Sequence, residues 1–157
     1  MSEVIVRTAR PEDGEIFLAM LSEFAIYEQL DPPDEAAQQR LMTDGFGPQR
    51  RFEVLIAEVA GEIAGYAIIY EIYSSFRARP KLYLEDLFVR PQFRGHGVGK
   101  ALFRACAREA EQRGFDRLQW SVEGWNESAL AFYEQMGASR LNWQTWQLEL
   151  SSLNSDG

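Results

Sequence analysis

The chain has 157 residues, a formal net charge of −8, 46% hydrophobic and 25% charged residues. That length suits one domain able to bury its core without disulfides, and no apolar run approaches the ~20 residues a bilayer span requires. The acidic balance excludes nucleic acid and anionic membrane as natural partners and leaves a cationic ligand favoured.

Cys106 is the only cysteine and His96 the only histidine. No intrachain disulfide, cysteine-rich or multi-histidine metal site can be built from them, so no metal is expected, and a Ser-His-Asp arrangement has little room. The N-terminus MSEVIVRTAR lacks a basic segment followed by an apolar one. No signal peptide is expected, and the default location is the cytoplasm.

In chain order, Val4 to Arg7 reads as a first strand, and Pro11 with Glu12 and Asp13 as a helix start. Phe17, Met20, Leu21 and Phe24 recur at helical spacing and give that helix one apolar face, with its end near Leu30 before Asp31-Pro32-Pro33. Asp34 caps a shorter helix through Leu41, which breaks in the loop Asp44-Gly45-Phe46-Gly47-Pro48. Residues 52–59 and 62–73 are strand-like and joined by Ala60-Gly61 as a hairpin. Ser74 to Pro80 reads as a polar loop before a strand over Leu82 to Val89.

That strand ends at Arg90-Pro91, and Gly95, Gly97 and Gly99 then lead into a helix from Gly97 to Arg113. Val98, Ala101, Leu102 and Ala105 form its apolar stripe, Cys106 lies on the same side, and Gly114 ends it. Phe115 to Val122 should be a further strand. A helix capped by Asn126 then runs through Leu130, Phe132, Tyr133 and Met136 to Gly137, and Ala138 to Leu150 closes with a last strand that half-buries Trp143 and Trp146. The expected fold class is α/β, a mixed central sheet of about six to seven strands flanked by about four helices. Residues 1–150 form one domain in this reading, and 151–157 are a disordered tail.

The spacing Arg94-x-x-Gly97-x-Gly99 at a strand-to-helix junction gathers backbone N–H groups at a positive helix end, the arrangement that holds phosphate. A P-loop is excluded, because Arg94 stands where its first glycine belongs and Ala101 follows Lys100. A dinucleotide fingerprint counted from Gly95 fails at Lys100. A plain glycine-rich turn opening an ordinary helix is the bland alternative. Arg90, Arg94 and Lys100 supply local positive charge against the acidic whole.

This loop resembles the pyrophosphate loop of the GCN5-related N-acetyltransferases (GNAT), which bind acetyl-CoA. Asn126 to Ala138 (NESALAFYEQMGA) resembles the second signature of that family. With Tyr27-Glu28, Asp44-Gly45-Phe46-Gly47 and Tyr83-Leu84-Glu85-Asp86, the chain resembles the spermidine/spermine (diamine) and thialysine acetyltransferase branch over nearly its whole length. The resemblance implies the GNAT fold, a homodimer with Trp143 and Trp146 as interface anchors, and direct acetyl transfer from acetyl-CoA to a primary amine of a small cationic acceptor.

It further implies roles for particular residues. Glu85 would hold the acceptor ammonium and help it lose a proton, directly or through water, and Tyr133 would protonate the departing thiolate. Leu87, Phe88 and Val89 would pair with the pantetheine arm and leave an N–H for the developing oxyanion. Arg94, Gly95, His96, Gly97, Val98, Gly99 and Lys100 would hold the pyrophosphate, with Asn126 and Ala129 also on the cofactor. Tyr27, Glu28, Glu85, Gln119, Trp120 and Ser121 would line the acceptor. Trp120 and Trp125 also read as core or interface residues. Alternation along the strand sets Asp86 on the face opposite Glu85, as a structural residue.

Polyamine-acetylating relatives carry acids just before the final strand, where this chain has Arg140 and Gln144. That departure weakens spermine more than a short diamine or a lysine-like amino acid. Two rivals remain open: acetylation of another amino acid or a peptide amine, and a non-catalytic acetyl-CoA sensor.

Overall fold

The computed structural model describes residues 2–156. They form two compact units, one ending at Ser121 and the other beginning at Val122. The first contains β1 (Val4–Thr8), α1 (Gly14–Tyr27), α2 (Glu35–Phe46), β2 (Glu53–Val59), β3 (Glu62–Ser74), β4 (Arg79–Val89), α3 (Val98–Gln112) and β5 (Leu118–Trp120). The strands lie in sequence order in one five-stranded sheet. Successive pairs are antiparallel except β4 and β5, which run parallel with α3 as the crossover.

Local chemistry explains the connections. Ala60 and Gly61 both take positive φ, 51° and 79°, the two-residue turn whose twist suits a hairpin. Asp34 caps α2 by accepting from the Ala37 amide at 2.8 Å. The helix then runs past Leu41 to Phe46, beyond its expected end. Gly45 permits this, because a Cβ there would stand 2.6 Å from the Phe52 ring. The expected polar loop before β4 shrinks to residues 75–78, with Tyr73 paired to Pro80 and Ser74 to Arg79. Pro80 is tolerated because β5 reaches only Leu82 to Leu84, leaving the proline's other edge outside the ladder.

Two layers of side chains bury the sheet. On one face α1 inserts Phe17 and Met20, with Phe17 edge-on to Tyr66 at 5.3 Å and Phe24 stacked on Phe88 at 5.2 Å. On the other, α3 buries Val98, Leu102, Phe103, Cys106 and Ala110. Burial pushes the Cys106 thiol up to about 12, so it stays protonated and unreactive at neutral pH.

The second unit holds α4 (Glu127–Gln135) and a 3-10 stretch, Leu150–Asp156, where a disordered tail was expected; Gly157 lies outside the described residues. The predicted strand over Ala138 to Leu150 is absent, so the sheet has five strands rather than six or seven. Strand propensity makes a segment extended, but only a paired neighbour makes it a strand. Trp143 and Trp146 are correspondingly exposed, 84% and 87%, not half-buried.

Candidate active site

Glu85 and Asp86 break the regular pairing of β4. Ile69 pairs with Leu84 and Ile68 with Asp86, so Glu85 is an extra residue in a β-bulge. Such a bulge turns two consecutive side chains toward one side. The Tyr70 hydroxyl lies 3.4 Å from Glu85 Oε2 and the Tyr66 hydroxyl donates to Asp86 Oδ2 at 3.2 Å. Tyr66 and Tyr70 are four residues apart on one strand and therefore share a face. The expectation that Asp86 points away from Glu85 is thus corrected: strict alternation fails where the ladder gains a residue.

The two carboxyls differ in setting. Glu85 is exposed, whereas Asp86 is half-buried. Burial pushes the Asp86 carboxyl up to about 6; the bond from Tyr66 opposes this, and the charges of Glu85 and Glu28 reinforce it. Glu28, at the C-terminal end of α1, therefore contributes to the same negative field. Tyr70 is held neutral, its hydroxyl pushed up to about 12 by burial and then by Glu85 and Tyr83. Next to it, the Tyr70 and Tyr83 rings lie 5.4 Å apart and Tyr83 shares a 2.9 Å hydrogen bond with Ser121. Three carboxylates and a row of hydroxyls make a surface suited to a cation.

Of the residues expected at the acceptor, Tyr27, Glu28, Glu85 and Ser121 are thus on this side of the first unit. Gln119 pairs with Tyr83 and shares its face. Trp120 does not: it packs edge-on against Phe103 of α3 at 5.0 Å, on the opposite face. Asp86 was read from the sequence as a structural residue and Tyr83 only as part of a signature, whereas Tyr66 and Tyr70 were not singled out. Their signal was present, since Tyr66 and Tyr70 recur at strand spacing opposite a Tyr-x-Glu run in the paired strand.

Past Leu84 the outer edge of β4 has no strand beside it among the described residues, because β5 ends its pairing there. Leu87, Phe88 and Val89 lie along that open edge, where main-chain groups are available to an extended arm. The glycine loop follows. Gly95 and Gly97 have φ of 81° and 79°, and a Cβ on either would meet nothing within 4 Å, so the loop is open above its backbone. The first intrahelical bond of α3 runs from the Ala101 amide to the Gly97 carbonyl at 3.0 Å. The N–H groups of Val98, Gly99 and Lys100 precede it and face the helix end. His96 and Lys100 are exposed, and the Val98 side chain is buried, leaving its amide as its contribution.

Two arginines tie this loop to α1. Arg90 Nη2 lies 3.3 Å from Glu23 Oε2, so its charge is already engaged. Arg94 donates to the Val89 carbonyl at 3.2 Å while its guanidinium lies 4.8 Å from the centre of the Tyr27 ring. In the second unit, Asn126 caps α4 by accepting from the Ala129 amide at 3.2 Å. Tyr133 is half-buried on α4, its ring edge-on to Phe132 at 5.3 Å.

An open sheet edge leading into an amide-lined helix start, beside a cluster of carboxylates, is the frame of a transferase that lays a phosphorylated arm along its sheet and brings an amine to it. Residues 17–138 match the acetyltransferase (GNAT) family. The chain is 33% identical to the thialysine N-epsilon-acetyltransferase of Sus scrofa, over 95% of this chain and 94% of that enzyme. It is 43% identical to an L-ornithine N5-acetyltransferase of Arabidopsis thaliana over a shorter stretch, 48% of this chain and 33% of that one. Among solved structures, an integron cassette protein from V. cholerae superposes with a TM-score of 0.81 at 23% identity, over 99% of this chain and 97% of that one. The chain belongs to the GNAT acetyltransferase family, and it is an N-acetyltransferase of the kind that acts with acetyl-CoA on small amines.

Proposed function

We propose that this enzyme acetylates the side-chain amine of a small cationic acceptor, a lysine-like amino acid such as thialysine or a short diamine, by direct attack on acetyl-CoA. The observation that carries this reading is the bulge in β4, which turns Glu85 and Asp86 to one face within the field of Glu28. An alkyl amine is mostly protonated at neutral pH, and a carboxylate cluster first attracts it and then offers a base.

Acetyl-CoA supplies an acetyl group already activated as a thioester. The open edge at Leu87 to Val89 and the amides of residues 97–100 fit its arm and pyrophosphate. In the proposed reaction Glu85 holds the ammonium and accepts its proton, freeing the nitrogen lone pair. A backbone N–H of β4 near Leu87 steadies the charge that develops on the carbonyl oxygen. Tyr133 donates a proton to the sulfur as the C–S bond breaks and recovers one from the second N–H that the attacking nitrogen gives up, leaving an amide and CoA thiol. Arg94, Gly95, His96, Asn126 and Ala129 complete the cofactor contacts in this proposal. Tyr27, Gln119 and Ser121 complete those of the acceptor. Trp120 acts only as support from behind the sheet.

Residues 1–150 work as one domain in this reading, and the enzyme acts as a cytoplasmic homodimer without nucleic acid or membrane. Among the described residues no helix is long and apolar enough to cross a membrane. The test is CoA-thiol release from acetyl-CoA against putrescine, spermidine, spermine, lysine, thialysine and a basic peptide. Turnover with a short amine, reduced by about 10²-fold in Glu85→Gln, is expected. Acetyl-CoA binding with no turnover across the panel would instead support a sensor.

A further inference from the structure

Tyr66 carries a polar group that packing does not require. Its side chain is fully buried, the ring edge-on to Phe17 at 5.3 Å and tilted against Phe88 at 6.0 Å. A phenylalanine would fill that place, and a buried hydroxyl lowers stability unless it finds a partner. The partner is Asp86, whose Oδ2 accepts from the hydroxyl at 3.2 Å. Burial and the charge of Asp86 hold the phenol neutral, so it remains a donor.

Asp86 is equally unusual from its own side. Among the described residues its carboxyl takes one hydrogen bond, from Tyr66, and forms no ion pair. The groups that face it are Glu85 beside it on β4, Glu28 of α1, and Tyr66 and Tyr70 of β3, none of them a cation. Arg90 and Arg94, which follow the same strand, are engaged by Glu23 and by the Tyr27 ring. A carboxylate in this setting lacks a counter-charge, and a bound ammonium supplies one. Until it arrives, Tyr66 is the group that favours the ionised form.

We propose that Tyr66 is a positioning residue for acceptor binding: without touching the acceptor, its buried hydroxyl holds Asp86 as the carboxylate that receives the acceptor ammonium together with Glu85. This inference rests on the acyl-transfer reading of Glu85 and assigns the support of its neighbour. The bond occupies Oδ2 and leaves Oδ1 for the ammonium, so the bulge presents two carboxylates side by side. It also sets the pH at which the second charge is present. Asp86 ionises at about 6 in the folded protein, and the donated bond works against the burial that pushes it up. Removing the hydroxyl moves that ionisation to higher pH, so that below neutrality the acceptor meets one charge fewer.

The experiment follows kcat/KM from pH 5 to 8.5 with thialysine, and with each other amine of the panel that turns over, for the full-length wild type, Tyr66→Phe, Asp86→Asn and the double variant. In the wild type kcat/KM should fall on the acid side with a midpoint of about 6. In Tyr66→Phe, which keeps the ring contacts, that limb should move to higher pH. Its kcat/KM at pH 5 should be about tenfold below that of the wild type, chiefly through KM, and at pH 8.5 within about twofold of it. Asp86→Asn should lose this limb, and adding Tyr66→Phe to it should not alter the profile further. A hydroxyl that serves stability alone would lower the urea midpoint of Tyr66→Phe and leave the limb where it is. An unmoved limb in Tyr66→Phe, a limb that persists in Asp86→Asn, or an equal shift in the double variant overturns the inference while leaving the acetyltransferase reading in place. No turnover with any amine of the panel overturns both.

Discussion

The two units of the chain differ in how much they bury. The first carries the buried core, with Phe17, Met20, Ile56, Tyr66, Ile69, Leu82 and Leu102 all inaccessible to solvent. The second has no buried residue among those described; α4 is half-exposed, and its N-terminal support is the Asn126 cap. A sheet covered on both faces can hold Glu85 in a bulge and Asp86 at an elevated pKa, because the surrounding ladder over-determines them. A short exposed helix has no such ladder around it.

The contrast breaks first at Gly65. A Cβ there would sit 2.4 Å from the Phe88 carbonyl oxygen, a main-chain atom that cannot swing away. Gly65→Ala is expected to destabilise the first unit by about 3 kcal/mol or more, read as a shift in the urea midpoint. An unshifted midpoint would mean that β3 and β4 can separate at little cost. In the second unit Tyr133→Phe should leave that midpoint in place and lower turnover by about 10²-fold, with acetyl-CoA affinity retained. An unchanged rate would remove Tyr133 from the mechanism.

Asp86→Asn sharpens the comparison through pH. Burial holds the Asp86 carboxyl at about 6 in the folded state, above its ordinary value of 3.8. Folding therefore favours the protonated form, and ionising Asp86 costs stability as pH rises from about 4 to 6. Asp86→Asn should be more stable than the wild type at pH 8, by of order 2 kcal/mol, and should lose that advantage at pH 4. Thermal unfolding at the two pH values checks this, and a pH-independent difference would show that the carboxyl is already paired. The smallest effect is expected from Asn126→Ala, about 1 kcal/mol, seen as faster amide exchange at the start of α4 with the core amides unaffected.

Much of this protein was legible along the chain. The hairpin at Ala60-Gly61, the Asp34 and Asn126 caps and the glycine loop into α3 each arise from contacts a few residues apart. The element types followed for the same reason, as did the family through its two signatures. Where the reading failed, the deciding contact lay outside the element being read. α2 overran its expected end because Gly45 meets Phe52. The polar loop before β4 became strand because Ser74 found Arg79. The last strand, read from the extended, aromatic segment 138–150, has no ladder in the described structure.

The site divides in the same way. Sequence by itself determined that a glycine loop opens α3, that Asn126 caps the helix carrying Tyr133, and that Glu85 lies on a strand where an apolar residue would otherwise stand. It could not determine which side Asp86 faces, because side-chain direction in a strand depends on the partner's register, and the extra residue opposite Ile68 and Ile69 exists only once β3 and β4 have paired. Only tertiary structure brought Asp86 into the field of Glu28 and turned Trp120 toward α3. Local propensity selects elements, whereas pairing between strands decides which of their side chains meet.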